Sequence, residues 1–161
     1  DLAPALEALG ASIKTTKRTL AAEEFFTAGK LRSTVLAKGE LVEEILVPAQ
    51  RPGSRQAYQK FRIRNSIDFP IAGLAAIFNS AGGKISGARL VLGAVAPIPL
   101  RLKAVEAFLE GKAAGERTAA AAGELAVKEA RPLAKNGFKI QLVKALVQKA
   151  VMSAAPAKLP V

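Results

Sequence analysis

Residues 56–95 read QAYQKFRIRNSIDFPIAGLAAIFNSAGGKISGARLVLGAV, and the pattern of this stretch decides the fold. Residues 56–64 alternate between two faces, and residues 71–79 form an apolar run. The turn signal SAGG at 80–83 follows, and residues 85–95 return as a second apolar stretch. Such runs separated by glycine turns are typical of strands joined by hairpins. The stretch therefore predicts a three-stranded antiparallel sheet with one polar face.

The chain after this sheet is predicted to be helical. Pro97 and Pro99 end the β region, and residues 102–110 form an amphipathic segment that stops at Gly111. Residues 116–130 are rich in alanine and charged residues, which favours a second helix. A third helix is predicted from an apolar stripe with helical spacing, made of Ile140, Val143, Val147 and Val151. The predicted fold class is therefore α+β.

The chain before the sheet has a different character. Residues 1–10 predict a short helix, with an aspartate in the N-cap position, a proline in the first turn and a glycine at the end. Strands are predicted over 12–16 and 40–47, and a helical turn over 21–26 is expected to place two phenylalanines in a core.

Charge divides the chain at the proline- and glycine-containing stretch 48–54. Residues 1–53 hold seven basic and seven acidic side chains, whereas residues 54–161 hold 17 basic and six acidic ones. The whole formal charge of +11 therefore belongs to the second part. We place a domain boundary there, which gives units of residues 1–52 and 54–161.

Composition excludes several classes of site. The chain has no His and no Cys, so it cannot by itself build a zinc finger, a Cys-ligated iron–sulfur cluster or a Ser-His-Asp triad. Its longest nearly uncharged apolar stretch, residues 69–78, is too short to span a bilayer, and a cytoplasmic location is expected. The basic half invites a nucleic-acid partner, but with few aromatics and no module signature none is predicted.

The connection at 66–70, with sequence SIDFP, is the candidate site. Two interpretations remain open: either Phe69 packs into the core of a tight turn, or it forms the lip of a ligand site with Asp68 as a hydrogen-bond acceptor. In the preceding strand, Lys60, Arg62 and Arg64 are predicted to share one face, which is either solvated or binds an anion.

Taken together, the sequence resembles the carboxy-terminal part of the flavin-binding medium subunit of the xanthine dehydrogenase / carbon monoxide dehydrogenase family of molybdenum hydroxylases. Each motif is modest alone, and their order and spacing make the likeness specific. The segments that carry it are DLAPALEALGA (1–11), GELVEEILVP (39–48), YQKFRIRNSIDFPIA (58–72), ARLVLGAVAP (88–97), AFLEGK (107–112) and NGFK (136–139).

The resemblance implies both a fold and a function. Residues 1–52 would be the end of an FAD-binding domain, and residues 54–161 a C-terminal domain in which a three-stranded antiparallel sheet packs with a helical bundle. The complete subunit would hold FAD and pass electrons between the flavin and the iron–sulfur clusters of a small subunit. A large subunit would carry the molybdopterin cofactor.

The resemblance also implies site residues. Phe69 lies where the family has a residue packed against the isoalloxazine ring, Asp68 precedes it, and Lys60 matches a recurrent basic position. Asp1 matches an acidic residue that follows the family's Gly-rich pyrophosphate-binding segments. Those segments lie upstream in the family, so a partner to this chain would be the N-terminal half of the FAD domain. Without it, the chain is expected to bind FAD weakly or not at all and to be inactive.

An alternative function is a non-catalytic docking module that binds an acidic subunit through its basic face. The sequence leaves open whether Lys60, Arg62 and Arg64 face a cofactor or a partner.

Overall fold

The computed structural model describes residues 1–65 and 67–155, so Ser66 of the candidate loop lies outside the described residues. The helices are α1 (Leu2–Leu9), α2 (Ala22–Phe25), α3 (Lys103–Leu109), α4 (Glu116–Ala126) and α5 (Lys139–Ser153). The strands are β1 (Ser12–Thr15), β2 (Thr19–Ala21), β3 (Val42–Leu46), β4 (Arg55–Phe61), β5 (Ala72–Ala81), β6 (Lys84–Gly93) and β7 (Leu100–Arg101). This mixture confirms the predicted α+β class.

Strands β1, β2 and β3, all within the first 47 residues, form a small antiparallel sheet in the order β2-β1-β3. Its core contains Ile13 of β1 and Phe25 of α2, and Phe26 packs against this cluster half-buried. The predicted helical turn therefore places one aromatic in the core and a second at its edge. Glu40 ties the sheet to the preceding loop, because its carboxylate accepts hydrogen bonds from the Thr15 hydroxyl at 2.7 Å and the Ala37 amide at 2.8 Å.

The second sheet is antiparallel in the order β4-β5-β6-β7. The predicted turn between β5 and β6 is confirmed: Ala81 pairs with Lys84 across the two central residues Gly82 and Gly83. Both glycines have positive φ, at 58° and 75°. A two-residue hairpin loop of this kind needs positive φ at both positions, which glycine adopts without steric cost.

The prediction of three strands is incomplete, because β7 adds a fourth. Leu100 pairs with Leu92 and Arg101 with Val91. The prediction that Pro97 and Pro99 end the β region is therefore wrong: β6 ends at Gly93, and the chain turns back after the two prolines onto the same edge. A strand of two residues is too short to show alternation in the sequence, so only the packed sheet reveals it.

The β4 strand ends at Phe61, three residues before the predicted end. Phe61 pairs with Ala72, and its carbonyl accepts the Ile71 amide at 2.8 Å. Beyond this point the amides of Ile63 and Arg64 bind the Asp68 carboxylate instead of a neighbouring strand. A side chain that captures backbone donors in this way competes with the sheet ladder and terminates it.

Helices cover both faces of this sheet, so the prediction of one polar face is wrong. On one face, α3, α4 and α5 enclose the main core, in which Leu74, Leu90, Val105 and Val147 are almost fully buried. On the other face, α1 packs through Ala8 against residues of β5 and β6, among them Ala75 and Val91. Because α1 lies across the sheet, its N-terminal Asp1 is brought over β4.

Candidate functional site

The predicted site residues fall into two groups at the end of the sheet where β4 ends and β5 begins. The first group is a charged cluster on the α1 face. The Asp1 carboxylate binds the Lys60 ammonium at 2.5 Å and accepts a hydrogen bond from the Tyr58 hydroxyl at 3.1 Å. Tyr58 and Lys60 are two apart on β4, so their side chains project from the same face. Partial burial raises the pKa of Tyr58, which favours the protonated hydroxyl that this hydrogen bond requires.

Tyr58 was not among the predicted site residues. Its position two residues before Lys60 is the signal that could have found it, since period-2 alternation puts both side chains on one side of a strand. Asp1, which accepts the hydrogen bond from Tyr58, is 57 residues away in sequence, so no local sequence pattern includes both residues.

The second group is the loop of residues 62–70, which Asp68 holds together. One oxygen of its carboxylate accepts the amides of Ile63 and Arg64, each at 3.2 Å, and the other accepts the amide of Phe69 at 3.0 Å. The Arg64 guanidinium also donates to the Ile67 carbonyl at 3.1 Å. Asp68 is therefore a positioning residue that fixes the backbone on both sides of the loop.

The clamped loop presents three large apolar side chains to solvent. Phe69 is 88% exposed, Ile67 94% and Ile63 86%. The interpretation that Phe69 packs into the core is therefore wrong. The physical reason is that Phe69 lies in the loop between Phe61 and Ala72, outside the paired strands that the helices cover. Burying such a ring is favourable by about 2 kcal/mol of free energy, which favours a ligand or partner that packs on Phe69.

The prediction that Lys60, Arg62 and Arg64 share one strand face is wrong. The strand ends at Phe61, so Arg62 and Arg64 lie in the loop. Lys60 is paired with Asp1, and the Arg64 side chain is engaged with Ile67. The three cations therefore do not form one anion-binding row.

One further polar atom in this region stands out. Within the described residues, the Gln59 side-chain oxygen is the buried side-chain polar atom that has no hydrogen-bond partner. Gln59 follows Tyr58 and precedes Lys60, so it projects from the opposite face of β4, toward the helices. Buried acceptors are ordinarily paired, which leaves this oxygen able to accept one more donor.

The four predicted site residues, Asp1, Lys60, Asp68 and Phe69, suit the ring of a flavin better than its phosphates. Phe69 offers a flat apolar surface on a fixed loop, which suits an aromatic ring system. Asp68 uses three of the roughly four acceptor positions of a carboxylate and keeps about one for a ring N–H donor. Asp1 and Asp68 are carboxylates, which repel phosphate, and the Lys60 ammonium is already paired with Asp1.

A four-stranded antiparallel sheet between a three-helix layer and a single helix, with a clamped aromatic loop at one end, defines a cofactor- or partner-facing α+β domain. Residues 56–154 match the CO dehydrogenase flavoprotein C-terminal domain, and the chain belongs to that family. The match includes β4, the loop and all three helices of the main core.

Curated relatives agree with this assignment. The chain is 34% identical over 116 residues to the carbon monoxide dehydrogenase medium chain of Hydrogenophaga pseudoflava, covering 72% of this chain and 39% of the relative. It is 32% identical over 120 residues to the caffeine dehydrogenase subunit beta of Pseudomonas sp. (strain CBB1), covering 71% of this chain and 40% of the relative. The chain thus spans about two fifths of the length of these relatives.

Solved structures share the fold over 96% of the chain. A carbon monoxide dehydrogenase from Hydrogenophaga pseudoflava that lacks the Mo-pyranopterin moiety superposes with a TM-score of 0.86 at 31% identity, covering 55% of that chain. Quinoline 2-oxidoreductase from Pseudomonas putida 86 gives a TM-score of 0.83 at 26% identity, again over 55% of that chain.

No helix among residues 1–65 and 67–155 combines the length and apolar character needed to cross a membrane.

Proposed function

We propose that this chain is the carboxy-terminal portion of an FAD-containing medium subunit in a molybdenum hydroxylase-type oxidoreductase. In this proposal, residues 1–52 belong to the FAD-binding domain and residues 54–161 form the C-terminal domain. The flavin exchanges electrons with iron–sulfur clusters on a small subunit, and a large subunit holds the molybdopterin cofactor. The location we propose is cytoplasmic.

The observation that carries this proposal is the loop clamped by Asp68. It holds Phe69 88% exposed, in a chain whose family is that of a flavoprotein domain. A strand–loop–strand connection that only closed a hairpin would gain by burying this ring. Its exposure on a fixed backbone supports a role in contacting a flat partner.

Each residue has a distinct role in this proposal. FAD, when bound, supplies the redox chemistry, taking up and releasing electrons. Phe69 covers one face of the ring and excludes water from it. Asp68 positions Phe69 through its three backbone hydrogen bonds. The Lys60 ammonium and the Tyr58 hydroxyl together hold the Asp1 carboxylate over β4.

The remaining flavin contacts come, in this proposal, from polypeptide beyond these 161 residues. The four predicted residues include no cradle for a pyrophosphate, and the chain covers 55% of the solved relative. The expected partners are therefore the rest of the FAD domain and the small and large subunits.

The test is the Phe69→Ala substitution in the complete subunit, with Leu133→Ala as a matched control. Leu133 is also an exposed apolar side chain, at 76%, and it lies between α4 and α5, outside the proposed flavin loop. We expect Phe69→Ala to lower the flavin content of the purified subunit or to shift its midpoint potential, and Leu133→Ala to change neither. Unchanged flavin content and midpoint potential in Phe69→Ala would show that the proposed contact between Phe69 and the flavin ring is wrong.

The alternative, a docking module with a basic partner-binding face, has less support. It is based on the positive excess of residues 54–161, and the row of three cations that could have formed part of such a face is not present, because Arg62 and Arg64 lie in the loop and Lys60 is paired with an acid of the same chain.

A further inference from the structure

A second candidate site lies on the helical side of the sheet. A cavity of about 580 Å³ opens between the start of α3 and the connection from α4 to α5. We call it the α4–α5 cavity. Its volume lies in the range of roughly 300–1,000 Å³ that is usual for small-molecule sites. None of Asp1, Lys60, Asp68 and Phe69 lines it.

The floor of the α4–α5 cavity is the main hydrophobic core itself. Leu92 of β6, Val105 of α3 and Val143 of α5 line it, and each is at most 6% exposed. The half-buried Ile140 and Leu125 form part of its walls. An open space that reaches the core in this way suits an apolar group, because filling it removes both the group and the floor from water.

The lining residues carry a strong excess of positive charge. They include five cations and one acid: Arg101, Lys103, Lys128, Arg131 and Lys139 against Glu129. Three of the cations are already engaged with partners in the protein. Arg101 binds Glu23 and Glu106, Lys103 binds Glu23, and Lys139 donates to the Ala94 carbonyl at 2.7 Å.

Lys128 and Arg131 are left for a ligand. Neither side chain makes an ion pair or hydrogen bond with the residues that the structure describes, and both are exposed on the connection that borders the cavity. An ammonium and a guanidinium at the mouth of an apolar space match a molecule with an anionic head and an apolar body.

We propose that the α4–α5 cavity binds a small amphipathic carboxylate. Its apolar body lies over Leu92, Val105 and Val143, and its carboxylate pairs with Lys128 and Arg131. This site is separate from the proposed flavin contact, so its test does not depend on flavin binding.

The experiment is a titration of the full 161-residue chain with decanoate below its micelle concentration, followed by calorimetry and by methyl NMR. We expect saturable binding with a Kd of about 1 mM or tighter. The methyl shifts of Leu92, Val105, Ile140 and Val143 should change, and decyltrimethylammonium, which has the same tail and the opposite charge, should not bind.

Charge-removing variants test the head-group contacts. We expect the double variant K128Q/R131Q to weaken decanoate binding by about tenfold, since two charge-assisted contacts are lost. The matched control K84Q/K149Q removes two exposed lysines outside the cavity and should bind decanoate as the unmodified chain does. Both variants change surface residues, so folding is checked by their unchanged NMR dispersion.

The proposal would be overturned by absence of saturable decanoate binding or by shifts confined to methyls outside the cavity. Equal weakening of binding in both double variants, or equal binding of the cationic analogue, would also overturn it. Binding of an acidic apolar peptide without binding of decanoate would also overturn it, since that result would make the cavity a protein-docking surface.

Discussion

At the scale of single residues, a few carboxylates determine the local structure through different contacts. Asp68 bonds backbone amides, Asp1 pairs with a lysine, and Glu40 accepts both a hydroxyl and an amide. The hydrogen bonds that Glu40 accepts lower its pKa to about 2, and the bond from the Ala37 amide is the largest cause. The same side chain type thus serves as a loop clamp, an ion-pair partner and a structural acceptor.

We predict that Asp68→Ala loosens the loop of residues 62–70 without unfolding the protein. The substitution leaves the amides of Ile63, Arg64 and Phe69 without their acceptor. These amides are exposed, so water replaces the carboxylate and the cost falls on loop order rather than on global stability. Hydrogen exchange at the three amides should accelerate by about tenfold.

Ile63→Ala is the control for Asp68→Ala, because it removes an exposed side chain from the same loop and leaves the clamp intact. Equal exchange rates in Asp68→Ala and the unmodified chain would show that the clamp does not order the loop.

Glu7 predicts a pH dependence of stability. Glu7 is only 6% exposed, and its pKa is raised to about 7, mainly by burial and also by the negative charge of Glu23, against a smaller lowering by Arg101. The folded pKa is above the ordinary value of 4.5, so the folded state holds the proton more tightly. The stabilising effect is therefore complete below about pH 4.5 and is lost as the pH rises through about 7.

We expect Glu7→Gln to be more stable than the unmodified chain by about 2 kcal/mol near pH 8 and about equal to it near pH 5. Urea unfolding at the two pH values measures the difference. Glu43→Gln, at an exposed position on β3, should leave the pH dependence unchanged. A constant difference between Glu7→Gln and the unmodified chain at both pH values would contradict the assignment.

At the scale of elements, the β5–β6 hairpin depends on backbone geometry that one residue type supplies. Gly83 has φ of 75°, and a Cβ added there would meet no atom within 4 Å. A side chain at this position would therefore destabilise the protein through the strain of a positive φ and not through a steric clash. Gly137, between α4 and α5, also has open space and lies outside the positive-φ region.

We predict opposite effects for the two glycine substitutions. Gly83→Ala should destabilise the protein by about 1 kcal/mol, because a left-handed conformation is unfavourable for an L-residue. Gly137→Ala should stabilise it by about 0.5 kcal/mol, because it reduces the entropy of the unfolded chain. Thermal unfolding of both variants checks this, and a loss of stability in Gly137→Ala equal to that in Gly83→Ala would contradict the geometric argument.

At the scale of the whole molecule, packing crosses the charge boundary at residues 48–54. Arg101 of β7 binds Glu106 of α3 and also Glu23 of α2, and α1 packs on the second sheet. The division into units of 1–52 and 54–161 stays a prediction, and the two sequence segments share side-chain contacts. This arrangement is what brings Asp1 to Lys60.

The whole chain also determines what it can bind alone. We predict that titrating FAD into the 161-residue chain gives no saturable binding at micromolar concentrations, because the proposed contacts cover the ring and not the pyrophosphate. Quenching of flavin fluorescence measures this, with the complete subunit as the positive control. Tight binding by this chain alone would show that it supplies phosphate contacts that the four predicted residues do not.

The sequence by itself determined the elements with strong periodicity. The apolar run of β5, the glycine turn and the stripe of α5 are local patterns, so the hairpin and the helix could be predicted. The α+β class followed from the same patterns, and the family from the order of the motifs.

Tertiary structure alone decided the end of β4, the fourth strand and the surroundings of the site residues. The end of β4 depends on a side-chain hydrogen bond, from the Ile63 amide to Asp68, and the fourth strand on a pairing of only two residues, including Leu100 with Leu92. The site depends on the contact of Asp1 with Lys60, which are distant in sequence. Phe69 shows the limit most clearly. Its apolar side chain is compatible with a core and with the lip of a ligand site, and only the folded loop shows that it is exposed.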